Sequence, residues 1–187
     1  MMDAFTYLSV LLSIILGLAI AQVLQGYRAL LLAHGRVKLS ASVLIWSVLI
    51  LLFAAQAWWA SFDLRARTHW DFLSFAVILL QMILLYMLAA LVIPDVASSG
   101  TIDLIEHSAK YRRSFFSFLI AMLATSITKT LILDHRLPST VNLGFHLLLT
   151  GIAVAGMLAK SHRLHVALAS GAAIGFLSYV TLLFAHL

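Results

Sequence analysis

The sequence has no cysteine, only two prolines and only seven acidic residues in a chain of 187. The first absence removes disulfides, thiolate nucleophiles, zinc-thiolate and iron-sulfur sites, and with them any inference about redox compartment. A metal site would have to use histidine and carboxylate. Charged residues make up 10% of the chain and hydrophobic residues 63%, with a mean hydropathy of +1.06. Ordinary soluble domains are about a quarter charged and about half apolar. A soluble globular protein is therefore excluded: one core of this size cannot bury so much apolar surface, and hydrocarbon must solvate a large part of it.

What is present are six long, nearly uncharged stretches, roughly Ala4–Gly26, Val43–Phe62, Phe72–Pro94, Ser114–Leu133, Val141–Ala159 and Val166–Ala185. Each approaches the roughly 20 residues that cross about 30 Å of hydrocarbon at about 1.5 Å per residue. The expected fold class is all-α, a polytopic bundle of six transmembrane helices forming one transmembrane domain over residues 1–187. The expected location is a membrane of the bacterial inner (cytoplasmic) type. Ala19-Ile20-Ala21 after the apolar run Leu8–Leu18 imitates a signal-peptide cleavage site, but Met1-Met2-Asp3 has no basic residue. The segment is read as a retained first helix that continues through Tyr27 toward Ala33.

The net charge of +5 and pI near 9.9 would suggest a nucleic-acid partner in a soluble protein. Here the basic residues fall between apolar runs and act as topology signals, so the lipid bilayer is the expected partner. Arg28, Arg36, Lys38, Lys110, Arg112, Arg113, Lys160 and Arg163 lie in the first, third and fifth connections, whereas Arg65, Arg67 and Arg136 lie in the second and fourth. The odd connections are expected in the cytoplasm and both termini outside. Trp58, Trp59 and Trp70 then mark the outer interface, and Tyr27, Tyr111 and Phe115 the inner one.

Small residues recur every four positions at Ser9, Ser13, Gly17 and Ala21, at Gly151, Ala155 and Ala159, and at Ala167, Gly171 and Gly175. Such stripes let helices approach closely, within one chain or, through the sixth helix, between copies of it. In the longest connection, Asp103 and Glu106 have capping-box spacing after Ser98-Ser99-Gly100. The fourth helix is thus expected to start ahead of its span, with Glu106 and Lys110 paired one turn apart.

All acids, Asp3, Asp63, Asp71, Asp95, Asp103, Glu106 and Asp134, fall at or beyond the span ends. A carboxylate in mid-membrane is the usual proton or sodium carrier, so carboxylate-coupled transport is disfavoured. Polar groups inside the spans are few and share a depth. Gln56, Gln81, Lys129 and His146 lie at or just outside the midplane, Lys129 about 7 Å above it by helical rise. Asn142, His146 and Thr150 recur at four-residue intervals on one face, and Thr125 precedes Lys129 by one turn. An ionisable group in the membrane costs a few kcal/mol, which makes Lys129 and His146 the leading functional residues. Each has a plainer reading beside it. Lys129 is five residues from Asp134, and could snorkel outward or pair with it. His146, Gln56 and Gln81 could be interhelical glue.

His162 and His165, with Asp103, Glu106 and His107 on the same side, form a weak candidate metal cluster. Only His146 lies deep, so bis-histidine haem is rejected. No cofactor is expected. Arg28–His34 resembles Lys129–His135, each ending the first helix of a three-helix half, which suggests inverted repeats of the transporter kind. No proline breaks a span in its middle. Three functional readings follow. A small channel or carrier for an ion or polar solute, acting through an outer-half polar layer, is narrowly preferred. A non-catalytic accessory or assembly subunit of a larger membrane complex comes second; beside lipid, the partners expected are further copies in a homo-oligomer or the subunits of such a complex. An intramembrane enzyme comes last, because no nucleophile-base pair or acidic dyad is placed for it.

Overall fold

The structure, a computed structural model, describes residues 4–33, 35–67, 69–94 and 101–184. Met1, Met2, Asp3, His34, Asp95, Ser98, Ser99, Gly100 and Ala185, singled out above, lie outside the described residues. The elements are α1 (Ala4–Leu32), β1 (Val37–Lys38), α2 (Ala41–Ala60), a 3-10 turn (Ser61–Ala66), α3 (Phe72–Val92), β2 (Ile102–Asp103), α4 (Leu104–Asp134), α5 (Thr140–Leu158) and α6 (His162–Phe184). Six helices are long and apolar enough to span a membrane. Val10, Ile14, Leu18, Leu147, Ile174 and Leu177 are exposed on their outer faces, as lipid contact requires. The chain is an integral membrane protein.

The helix ends follow the local chemistry. Asp71 accepts the Ser74 N–H at 2.9 Å to start α3, and Ser139 accepts the Asn142 N–H at 3.4 Å to start α5. Asp103 accepts the N–H groups of Ile105 and Glu106, both at 3.0 Å, so α4 begins well before its span. It ends where His135 turns left-handed, with φ of 52°, and donates its N–H to Leu131 at 3.1 Å. The two prolines, Pro94 and Pro138, lie just past the ends of α3 and α4.

The connections correct two local expectations. Glu106 does not complete the capping box or pair with Lys110; the ion pairs among the described residues are Lys38–Asp103, at 3.0 Å, and Arg67–Asp134. Lys110 instead lies 5.3 Å from the centre of the Tyr111 ring. Lys38 reaches Asp103 because β1 and β2 run parallel, with Val37 opposite Ile102 and Lys38 opposite Asp103. This short pairing ties the first connection to the third, and sequence periodicity carries no trace of two-residue strands. Odd and even connections gather at opposite ends of the bundle, called below the basic end and the far end.

In packing order, α2, α3, α4, α5 and α6 form a closed ring, each against the next and α6 against α2. α1 lies outside it, against α2 and α3. Leu8, Leu12, Leu16, Ala19 and Val23 form its buried stripe. Ser47 Oγ donates to the Leu44 carbonyl at 2.8 Å, so the Tyr27 hydroxyl donates to Ser47, at 2.7 Å, and fastens α1 to α2. The ring departs from two equivalent halves: α3 packs along α4 and α1 along α3, while the counterpart pairs α6 with α1 and α4 with α6 make no comparable contact.

Close approaches fall at glycines other than most of those in the small-residue stripes. A methyl at Gly17 or Gly151 would meet nothing within 4 Å, and one at Gly171 would just touch Ile152 at 4.0 Å. One at Gly175 would meet Leu148 at 2.8 Å, one at Gly26 would meet Ile93 at 2.8 Å, and one at Gly156 would fall 2.4 Å from the Phe116 ring. Phe116 itself packs edge-on to Trp46 and Phe115, with centroids 5.8 and 5.3 Å away. Gly156→Ala is therefore expected to destabilise the protein by about 1–3 kcal/mol through overpacking. Gly17→Ala should leave stability unchanged or raise it by up to about 1 kcal/mol. Unfolding of both variants in detergent tests the contrast, and equal effects would show that the Phe116 contact yields freely.

The Lys38–Asp103 pair has a defined pH window. The Glu106 N–H, followed by Lys38, holds the Asp103 carboxyl below the usual aspartate range, and Asp103 holds the Lys38 ammonium above the usual lysine range. A depressed carboxyl contributes above its unfolded value and is lost as pH falls through its folded one; a raised ammonium contributes below its unfolded value and is lost as pH rises through its folded one. The clasp is complete between about pH 4 and about pH 10. Amide exchange at Ile105 and Glu106 should be slow relative to the intrinsic rate across this window and lose protection below it. Protection that persists in Asp103→Ala would remove the carboxylate from the account.

Candidate functional site

A cavity of about 190 Å³ opens inside the ring toward the far end. It is large enough for several water molecules. α2 contributes Gln56, α3 Gln81, α4 Ser126, Lys129 and Thr130, α5 Asn142 and His146, and α6 Tyr179. Five of the seven residues proposed from depth and helical spacing, Gln56, Gln81, Lys129, Asn142 and His146, therefore line one space. Thr125 is buried off the cavity wall, and Thr150 lies one turn deeper on α5.

Helical hydrogen bonding orients the α5 stripe. Thr150 Oγ1 donates to the His146 carbonyl at 2.7 Å, and His146 Nδ1 donates to the Asn142 carbonyl at 2.7 Å. That bond places the proton of a neutral His146 on Nδ1 and leaves Nε2 as an acceptor. Thr130 Oγ1 similarly donates to the Ser126 carbonyl at 3.3 Å. The polar wall is thus partly satisfied by its own helices, apart from two groups. The Gln81 side-chain oxygen is buried without a hydrogen-bond partner, and no carboxylate among the described residues lies within 4 Å of the half-buried Lys129.

Asp134 does not pair with Lys129 because Arg67 takes its carboxylate. Lys129 makes no ion pair among the described residues and is the one formally charged residue among those that line the cavity. The lining is otherwise amide, hydroxyl, imidazole and hydrocarbon, including Phe53, Met82 and Leu149. Such a wall offers hydrogen bonds to a polar solute and one ammonium to an anion, with no carboxylate to coordinate a cation.

Ser126, Thr130 and Tyr179 escaped the sequence analysis. The two hydroxyls had a legible signal, since they lie three residues before and one after Lys129 on its helix. Tyr179 enters through aromatic packing: its ring stacks on Phe145 at 4.6 Å, and Phe145 meets Phe176 at 6.0 Å.

The histidine-carboxylate metal candidates do not assemble. His107 Nε2 donates to the Leu91 carbonyl at 2.9 Å and His165 Nε2 to the Ala159 carbonyl at 3.2 Å, while Asp103 serves the α4 amides and Lys38. Among the described residues no three of His162, His165, Asp103, Glu106, His107 or other ligating side chains form a metal-sized group. Their imidazoles hold carbonyls at the ends of α3 and α5 instead, where partial negative charge accumulates.

No protein-family model, curated protein or solved structure matches this chain. The site must be judged on its own chemistry.

Between this cavity and the basic end, the ring is closed by hydrocarbon. Leu49 and Ile50 of α2, Leu88 of α3, Leu119 of α4, Ala153 of α5 and Ala172 of α6 are all at most 2% exposed. By helical rise this layer is roughly 9 Å thick. On that side the cavity is lined by Phe53, Met82, Leu85, Leu123 and Leu149, so its floor is apolar.

The unpartnered Gln81 oxygen permits a test that separates structure from function. A buried acceptor without a donor costs about 1–3 kcal/mol. Gln81→Leu is therefore expected to unfold at the same temperature as the parent or higher. A loss of more than about 1 kcal/mol would mean that Gln81 is a structural tie.

Proposed function

We propose that the protein is a small integral membrane carrier for an anion or small polar solute, with its binding site in the far-end cavity of Gln56, Gln81, Lys129, Asn142 and His146. The observation that carries this reading is the convergence of ring helices on one polar space around an ammonium without a carboxylate partner. Burial of an uncompensated lysine is costly, and a bound anion would offset that cost where a cation would add to it. The apolar floor favours a carrier over an open pore, because passage requires the layer at Leu49, Leu88 and Leu119 to part. An accessory subunit, in which the polar layer only packs helices, is less favoured, because polar groups from five helices line one open space.

Reconstituted vesicles provide the test. Purified protein is expected to accelerate entry of at least one of chloride, nitrate, acetate, phosphate or glycerol over protein-free vesicles. The Lys129→Met/His146→Leu double variant should lower that rate at least tenfold, the equivalent of about 1.4 kcal/mol. Light scattering after an osmotic step or anion-sensitive dye quenching reads both. Equal rates for parent and double variant would remove the cavity from the mechanism, and no acceleration of any probe by the parent would count against transport of these solutes.

A further inference from the structure

A second pocket lies at the basic end, on the other side of the apolar layer. Its floor is aromatic: Trp46 of α2 meets Phe115 and Phe116 of α4 edge-on, at 5.6 and 5.8 Å between centroids, and His165 of α6 stacks on Phe116 at 6.1 Å. Arg112, Lys160 and His162 also line it, and among the described residues no carboxylate does. Lys160 and His162 are exposed. Arg112 is half-buried and only partly used. One terminal nitrogen donates to the Ala159 carbonyl at 2.5 Å, while its Nε is buried with no hydrogen-bond partner.

The other terminal nitrogen of Arg112 holds no acceptor among the described residues, and a guanidinium matches the oxygens of a phosphoryl group well. Lys160 adds charge of the same sign, and the imidazole of His162, the first residue of α6, adds a hydrogen-bonding group. The helix start adds partial positive charge. The aromatic floor requires hydrocarbon. A soluble phosphate ester would satisfy the rim and leave Trp46, Phe115 and Phe116 in water, whereas an amphiphile satisfies both. The depth agrees, since Arg112 precedes the apolar run that starts at Ser114 and Lys160 lies between α5 and α6, the level at which headgroups meet basic residues.

We infer that this pocket binds an anionic glycerophospholipid, with the headgroup phosphate on Arg112, Lys160 and His162 and the start of an acyl chain over Trp46 and Phe116. The inference is independent of transport through the far-end cavity. The bound lipid would accept from the Arg112 terminal nitrogen that does not hold Ala159 and would link α4 to the α5–α6 connection at the membrane surface.

The test uses full-length protein delipidated in detergent, with dioleoylphosphatidylglycerol in mixed micelles as the probe. The anionic lipid should raise the unfolding midpoint by several degrees and remain bound in native mass spectrometry. Dioleoylphosphatidylcholine and glycerol 3-phosphate should do neither. The Lys160→Gln/His162→Gln variant, altered only at exposed side chains, should weaken the anionic lipid about tenfold. Lys110→Gln/Arg113→Gln, which removes basic residues outside the pocket, should bind it as the parent does. An equal shift with phosphatidylcholine would reduce the pocket to an apolar groove, and an equal shift with glycerol 3-phosphate would make it a site for a free anion. Loss of binding in both variants alike would assign the effect to surface charge. Unchanged binding in Lys160→Gln/His162→Gln would remove these residues from the site. Each of these four results overturns the proposal.

Discussion

The architecture depends on pairing the carbonyl groups at the ends of its apolar helices. A helix that stops at the membrane surface leaves its last carbonyls unsatisfied, and an unpaired one next to hydrocarbon is costly. Here the basic end supplies the donors. His107 and Arg112, one and a half turns apart on α4, reach the last carbonyls of α3 and α5, and His165 of α6 shares the carbonyl that Arg112 holds. These bonds fix four ring helices in register along the membrane normal. Depth inside the ring then follows from residue number, which is why polar residues spaced hundreds of ångströms apart along an extended chain meet in one cavity.

That register explains how much of the site was legible beforehand. Span positions come from hydrophobic runs, and depth within a span comes from a constant helical rise, so arithmetic alone groups Gln56, Gln81, Lys129 and His146, which line one cavity. Rotation about each axis is less legible. When every side of a helix is apolar, periodicity says little about which side faces a neighbour and which faces lipid. Thr125, although one turn from Lys129, accordingly lies off the cavity wall, and Tyr179 appears on it unannounced. Partner choice was least legible. Asp134 was nearest in sequence to Lys129, yet the fold brings Arg67 from the second connection to it. The glycines show the same limit: Gly156 matters because Phe116 happens to cross there, a fact of helix pairing that no spacing pattern encodes.

The two cavities lie toward opposite ends of the bundle and differ in chemistry. One combines amides and hydroxyls with a single ammonium; the other joins cations to an aromatic floor. The layer between them is built of leucine, isoleucine and alanine. Aliphatic side chains without polar anchors can slide past one another at little cost, whereas the polar walls above and the caps below are directional. Motion that opens the layer would accordingly leave the helix ends in place and tilt or rotate the helices between them.

The closure of the ring also bears on how the chain is made. α1 to α5 can pack against neighbours already synthesised, but the contact of α6 with α2, marked by the 5.2 Å approach of Phe176 and Phe53, joins the last helix to one of the first. Until α6 enters the bilayer, the polar faces of Gln56 and His146 border an open seam. Insertion and assembly are then a single late event for this wall: a ribosome stalled before α6, or a chain cut there, would leave a hydrophilic cleft facing lipid, the kind of surface that membrane quality control is built to recognise.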